Sequence, residues 1–244
     1  MSSARNSLPD WRLQWRRRLK RRLATVPRTS IAQELERLSA RQPVTFIQIG
    51  AHDGHSGDLL HPYIVNGRWR GILVEPVPDL FNRLRTNYQS YSDRLIFENS
   101  AIAERPGVKT FFAVKQSSRP DAVPWHTQLG SFDKRNILKH ADRIPDLEQL
   151  IYTIPVATLT VRELTQKHGI GHLDLVAVDT EGYDAVIVGN LLAEGVSPTV
   201  IIFEHKHLSV FAYLSLLRQL RRRGYTVYRD GANAIAIKRQ EHHT

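Results

Sequence analysis

The chain of 244 residues contains no cysteine. That absence excludes a disulfide framework, a thiolate metal site and a cysteine nucleophile together, and it is compatible with a reducing compartment and a cytoplasmic location. No apolar run approaches the roughly 18 residues of a membrane-spanning helix, and the N-terminus lacks the apolar centre of a secretory signal. Neither G-x-G-x-x-G nor G-x-x-x-x-G-K-[ST] occurs, so a pyrophosphate or triphosphate cradle is not indicated, which disfavours NAD and ATP. Acids are scarce at the start. Residues 1–30 hold one, Asp10, against nine basic residues, and so carry +8 of the net +10. The rest of the chain is nearly neutral, and any argument from basicity toward nucleic acid applies to this arm alone.

Within the arm, Trp11, Trp15, Leu19, Leu23 and Val26 recur at spacings of three and four. On a helix they form a narrow apolar stripe flanked by arginines, which Pro27 would end. Three readings stay open: an extension that is solvated or docked on the body, a helix lying on an anionic membrane surface through residues 1–28, or non-specific contact with nucleic acid. Residues 31–244 read as one domain.

Strands and helices alternate along that domain. Ile31–Ala40 has a helical apolar face with Ser30 as its N-cap, and Val44–Ile49 is a short buried strand that ends in a glycine turn. Residues 56–66 read as helix, 71–74 as strand, 79–88 as helix and 95–97 as strand. Val108–Val114 and 151–156 read as extended. Residues 160–168 are helical, 173–178 and 199–203 are buried strands, and 209–222 is a helix closed by Gly224. Tyr225–Tyr228 and Ala234–Ile237 pair across Asp230–Asn233 as a hairpin. The alternation predicts an α/β fold with a mostly parallel sheet covered on both faces. Residues 115–150 lose periodicity and read as a lid with short helices; its Trp125, His126, Phe132, Lys134 and Lys139 are candidates to shape an acceptor pocket.

In such a sheet, ligands bind at the carboxyl ends of the strands, near the point where strand order reverses. The first strand ends in Gln48-Ile49-Gly50-Ala51-His52-Asp53-Gly54. The second ends in Glu75-Pro76, with Glu75 lying 21 residues beyond Gly54. An acid at about that distance can accept hydrogen bonds from ribose hydroxyls. Loop and acid together indicate a nucleoside cofactor that carries no phosphates.

Those two segments, with Val74–Phe81, Leu173–Asp184 (which contains Asp179-Thr180-Glu181-Gly182-Tyr183-Asp184) and Phe203-Glu204-His205, resemble the FkbM family of S-adenosylmethionine-dependent methyltransferases over about residues 44–207. The resemblance implies the class I methyltransferase Rossmann-like fold, with a mostly parallel seven-stranded sheet, helices on both faces and an antiparallel C-terminal hairpin. It also implies O-methylation of a hydroxyl on a saccharide or another small secondary metabolite. Carried over by position, Gly50, Ala51 and Gly54 line the methionine end of the cofactor, and Glu75 holds the ribose. Asn99, Ser100 and Ala101 border the adenine, while Asp53 and Pro76 complete the cofactor's neighbours. Gln48 stands where the family usually has an acid, so a neutral amide meets the cofactor amine. Asp179 sits beside the methyl group and the acceptor.

A sugar hydroxyl is a poor nucleophile, and its proton must be taken or weakened. One route is a histidine base: His205 at a strand end, or His126 or His140 in the lid. Another is a divalent cation such as magnesium, held by oxygen ligands from Asp179, Glu181 and Glu204. Two other classes remain in play: a nucleic-acid methyltransferase, disfavoured by the carboxylates of the Asp179 segment, and a methyltransferase-like scaffold that binds without catalysis.

Overall fold

The computed structural model describes residues 26–41 and 43–238. The helical stripe expected over Trp11–Val26 therefore lies outside the described residues except for Val26. In chain order the elements are α1 (Ile31–Ser39), β1 (Val44–Ile49), α2 (His61–Asn66), β2 (Trp69–Val74), α3 (Pro78–Asn87), β3 (Leu95–Glu98), β4 (Ala101–Ile102), β5 (Gly107–Val114), β6 (Gly130–Ser131), α4 (Lys134–Leu138), α5 (Leu147–Leu150), β7 (Ile151–Leu159), α6 (Val161–Lys167), β8 (Leu175–Val178), α7 (Asp184–Ala193), β9 (Val200–Glu204), α8 (Val210–Arg222), β10 (Tyr225–Asp230) and β11 (Asn233–Lys238).

Seven strands form the main sheet in the order β10-β11-β9-β8-β1-β2-β3. Strands β1, β2, β3, β8 and β9 run parallel, while β11 is antiparallel to both β9 and β10. The expected architecture and terminal hairpin are both present. Alternate residues of each strand feed opposite faces, because successive side chains of a strand point to opposite sides. From β1, Ile47 and Ile49 join the cluster packed by Leu164 of α6, Leu191 of α7 and Leu217 of α8. Val44 and Phe46 join the cluster packed by Leu35 of α1, Ile64 of α2 and Leu84 of α3. The strands thus have apolar side chains on both faces, which is why they read as near-continuous hydrophobic runs.

Three features depart from the sequence reading. The helix expected over 56–66 is only α2. Gly57 takes a φ of 75° and the Asp58 carboxylate accepts from Leu60 N, which together hold residues 51–60 in turns. A second sheet, β4-β7-β5-β6, stands beside the first. Its main pair joins β5 to β7 antiparallel, from Gly107 opposite Thr158 to Val114 opposite Ile151. Residues 115–150 are therefore the connection between two paired strands, and they have an apolar cluster of their own: Val114, Leu129, Ile137, Ile144 and Leu147 are all buried. Third, the end of the N-terminal segment is part of the body. Val26 is buried, Arg28 bridges Arg229 in parallel, and Arg229 N donates to Pro27 O. This covers the free edge of β10, a row of otherwise unpaired backbone groups.

At the same edge, Asp230 Oδ2 accepts from Ile31 N at 2.9 Å, so it caps α1 alongside Ser30. No helix of the described residues is long and apolar enough to cross a membrane. Asp230→Ala is expected to lower stability by about 1 kcal/mol, the usual cost of a lost cap, with Asp230→Asn close to wild type, as read by thermal unfolding.

Candidate active site

The chain runs from β1 outward to β2 and β3, then returns to place β8 on the other side of β1. Strand order reverses between β1 and β8, and the two loops that follow these strands meet there. Gly50 has a φ of 80°, and a Cβ on it would lie 1.8 Å from the carbonyl oxygen of Asp179. Only glycine fits this approach. Asp179 N in turn donates to Ile49 O, fixing one loop against the other.

Two clefts open at this point. One, narrow at about 40 Å³, lies between Gly50, Glu75, Pro76, Val77, Ser100, Ala101, Phe132, Asp179, Glu181 and Tyr183. The other, of about 210 Å³, includes Gln48, Ala51, Asp58, Trp125, Asp179 and Glu181 in its walls. Gly50, His52, Gln128, Asp179 and Glu181 belong to both, so the clefts adjoin.

Glu75 is buried, and burial raises its pKa despite the opposing pull of His52. Its Oε2 accepts from His52 N and its Oε1 from Val77 N, each at 2.9 Å. Each carboxylate oxygen keeps a further lone pair for a ligand hydroxyl. Gln48, the neutral residue of the loop, donates through Nε2 to Asp58 Oδ1 at 2.9 Å. Asp58 thus brings a carboxylate to the place where Gln48 has none, and burial raises its pKa. Four buried atoms in these walls have no hydrogen-bond partner: Gln48 Oε1, His52 Nδ1, Ser100 Oγ and Glu181 Oε2. Buried polar atoms seldom stay unpaired, so the orphaned atoms and the glycine cradle fit a polar ligand seated across both clefts.

The ends of β8 and β9 beside the clefts are rich in carboxylates. Burial and then Asp179 raise the pKa of Glu181, which adopts a φ of 51°. Glu204 is pushed up to about 8 by burial and by Asp179, Glu181 and Asp184. Asp184 is pushed up to about 7, first by burial and then by Asp179. It accepts from Thr180 Oγ1 at 2.9 Å and Glu204 N at 3.0 Å, and so ties the β8 loop to the end of β9. His52 sits among Glu75, Asp179, Glu181 and Asp58; burial alone would lower its pKa, but these charges raise it.

The structure gathers most of the expected residues and separates others. Gln48, Gly50, Ala51, Glu75, Pro76, Ser100, Ala101, Asp179 and Glu181 line the clefts. Gly54 lines neither; it packs where a Cβ would strike Tyr88 and Leu84 of α3. Asp53 caps its own turn by accepting from His55 N and Ser56 N. Asn99 stays outside the walls as well, with Nδ2 donating to Glu75 O, which positions the acid from behind. His205 faces away from both clefts and stacks on Tyr213 of α8, with ring centroids 5.0 Å apart. Strand alternation accounts for this, because His205 shares a face with Phe203, which packs on the same tyrosine. His126 is buried and cannot swing. Its Nδ1 lies 2.6 Å from Val123 O, and its Nε2 accepts from Ser117 N. Lys134 and Lys139 pair with Glu148 and Asn136 away from the clefts, whereas Trp125 and Phe132 do line them.

Among the described residues, the group of three ligand-type side chains whose ligand atoms lie within 4.8 Å of one another is His140, Glu181 and His207; of the expected cation ligands it contains Glu181 and neither Asp179 nor Glu204. His207 was not legible as a site residue. It follows the strand by three positions, and only the turn after β9 brings it back over Glu204. His52 lies in the glycine loop, where residue type alone assigns it no role; its positive φ turns its N–H onto Glu75.

This strand order, with a glycine loop after β1, an acid after β2 and an acidic loop after β8, defines a class I methyltransferase architecture. The model of the methyltransferase FkbM domain matches residues 48–227, well over half of the chain, and the chain belongs to that family. No curated protein matches the chain. Among solved structures, the methyltransferase FkbM from Methylobacillus flagellatus KT is similar at 13% identity and a TM-score of 0.48, over 82% of this chain and 45% of its own. The chain thus spans less than half of that protein. The precorrin-6y C5,15-methyltransferase from Geobacter metallireducens GS-15 is similar at 12% identity and a TM-score of 0.41, over 85% of this chain and 87% of its own. The N-terminal domain of human METTL16 in complex with SAH is similar at 12% identity and a TM-score of 0.43, over 86% and 69%.

Asp184 provides a pH test. Its raised pKa means that the fold holds a proton that the unfolded chain releases from about pH 4 upward. Its contribution to stability therefore falls as the pH rises from about 4 to about 7. Asp184→Asn is expected to flatten that slope, compared by thermal unfolding at about pH 5 and about pH 8.

Proposed function

We propose that the chain transfers a methyl group from S-adenosylmethionine to a hydroxyl oxygen of a saccharide or another small hydroxylated metabolite. The observation that carries the cofactor assignment is the Glu75 carboxylate, locked by two backbone N–H groups in the wall of a cleft that also holds Gly50 and an unpartnered Ser100 hydroxyl. Glu75 takes the ribose hydroxyls. Ser100, Ala101 and Phe132 enclose the base. Gln48 and Asp58 meet the amino-acid end, where Asp58 supplies the negative charge that Gln48 lacks.

The sulfonium makes the methyl carbon electrophilic, so the cofactor brings the activation. The residues of this chain place the acceptor oxygen in line with it and handle the oxygen's proton. Asp179 belongs to both clefts, which suits it to accept a hydrogen bond from that hydroxyl. The crowd of carboxylates around it supports a cationic cofactor and a neutral acceptor, and it opposes a polyphosphate backbone. That charge pattern favours a small hydroxyl acceptor over a nucleic acid.

Titration calorimetry with S-adenosylmethionine and its demethylated product tests the reading. Glu75→Ala is expected to weaken binding by about 100-fold, the loss of two charge-assisted hydrogen bonds, and Asp58→Asn by about 10-fold. Failure of the wild-type chain to bind either compound would overturn the assignment. In a labelled-methyl transfer assay across glycans, small hydroxylated metabolites and RNA, Asp179→Asn is expected to lower turnover by about 100-fold or more with cofactor affinity retained. Binding without transfer to any acceptor would favour a non-catalytic scaffold.

A further inference from the structure

Three ligand-type side chains from three separate segments meet beside the acceptor end of the clefts. His140 follows α4 in the segment between β5 and β7, Glu181 lies in the loop after β8, and His207 lies in the turn after β9. His140 Nε2 stands 3.5 Å from Glu181 Oε2, and His207 Nε2 stands 3.6 Å from the same oxygen. These separations are long for hydrogen bonds, and both His140 Nε2 and Glu181 Oε2 are buried without a partner. His140 itself is 9% exposed. Three atoms that converge without bonding one another leave a gap with electron pairs aimed into it. Ligand atoms at about 2.0–2.1 Å from a tetrahedral ion are about 3.4 Å apart, close to the two separations observed.

We propose that His140, Glu181 and His207 form a binding site for a first-row transition-metal dication of the zinc type. Two imidazole nitrogens and one carboxylate oxygen are a donor set that zinc favours, whereas magnesium and manganese favour oxygen ligands. Three protein ligands also leave a coordination position open. Trp125 and the His207 ring lie edge-on to the His140 ring, with centroids 5.5 Å and 5.4 Å away. Glu204 Oε2 lies 3.5 Å from the same His207 Nε2, so it stands beside the three ligand atoms.

An ion at this point fastens the β5–β7 connection to the ends of β8 and β9. Glu181 also belongs to both clefts. A hydroxyl that took the open coordination position would have its pKa lowered. That consequence rests on the methyltransferase reading; the metal site does not.

The test uses the full chain, stripped with EDTA and dialysed, and titrated by calorimetry with Zn2+ without cofactor. Visible absorption of the Co2+-loaded chain reports the coordination. One ion per chain is expected, with a rise in melting temperature. His207→Ala and His140→Ala are each expected to weaken binding by about 100-fold or more, while circular dichroism shows that they remain folded. Glu181→Gln, which keeps the shape of the side chain, is expected to weaken it too. The exposed-histidine variant His172→Ala and the C-terminal variant His242→Ala/His243→Ala are expected to bind as the parent does.

Binding that survives His207→Ala, or that vanishes in the C-terminal variant, overturns the site, as does a parent chain that takes up no more ion than a His140→Ala/His207→Ala chain. A chain that binds S-adenosylmethionine but no ion would overturn this proposal alone. A chain that binds the ion but not S-adenosylmethionine would overturn the methyltransferase reading alone.

Discussion

The contact between Gly50 and the backbone of Asp179 sets the geometry on which the site depends. Parallel strands β1 and β8 are neighbours, and the loops beyond them diverge unless one presents no side chain to the other. The missing Cβ at position 50 lets the two backbones touch. That contact brings the glycine loop, which faces the Glu75 carboxylate, against the acidic loop that holds Asp179 and Glu181. The clefts on either side of it share these same residues. The placement follows the general rule for open α/β sheets, where the crevice lies at the reversal of strand order.

Charge is the second organising feature. Glu75, Asp58, Asp179, Glu181, Asp184 and Glu204 are grouped around one end of the sheet, and several have raised pKa values because burial and mutual repulsion disfavour ionisation. Such a cluster is costly unless something positive or proton-bearing shares it. His52 and the His140–His207 pair stand inside the cluster, and a sulfonium or a metal dication suits the same field. The overall charge of the chain, +10, has the opposite sign, because the basic residues are concentrated in the N-terminal segment. Net charge by itself would mislead about the site.

Residues 115–150 illustrate how tertiary pairing gives meaning to a stretch without periodicity. Seen alone, they are short apolar pieces among prolines and charges. Once β5 and β7 pair, their ends are held together. Leu129, Ile137, Ile144 and Leu147 then bury themselves against one another and against Val114. This gives a packed wall beside the clefts. His126 is fixed within it as a structural residue, while His140 is carried to the sheet ends.

Local patterns determined much of this protein. The buried runs of β1, β2, β8 and β9, the terminal hairpin, the Ser30 cap, the glycine loop and the acid after β2 are short-range signals, and each has its physical cause within a few residues. The family segments followed from them. Other features were decided only by the tertiary structure. Glu75 is held by His52 N, and Asp58 stands in for the acid missing at Gln48. His205 turns outward onto Tyr213, and His207 meets His140, 67 residues before it in sequence, and Glu181, 26 residues before it. These depend on strand register and on the folding back of distant loops, and hydrophobic periodicity along a chain carries information about neither.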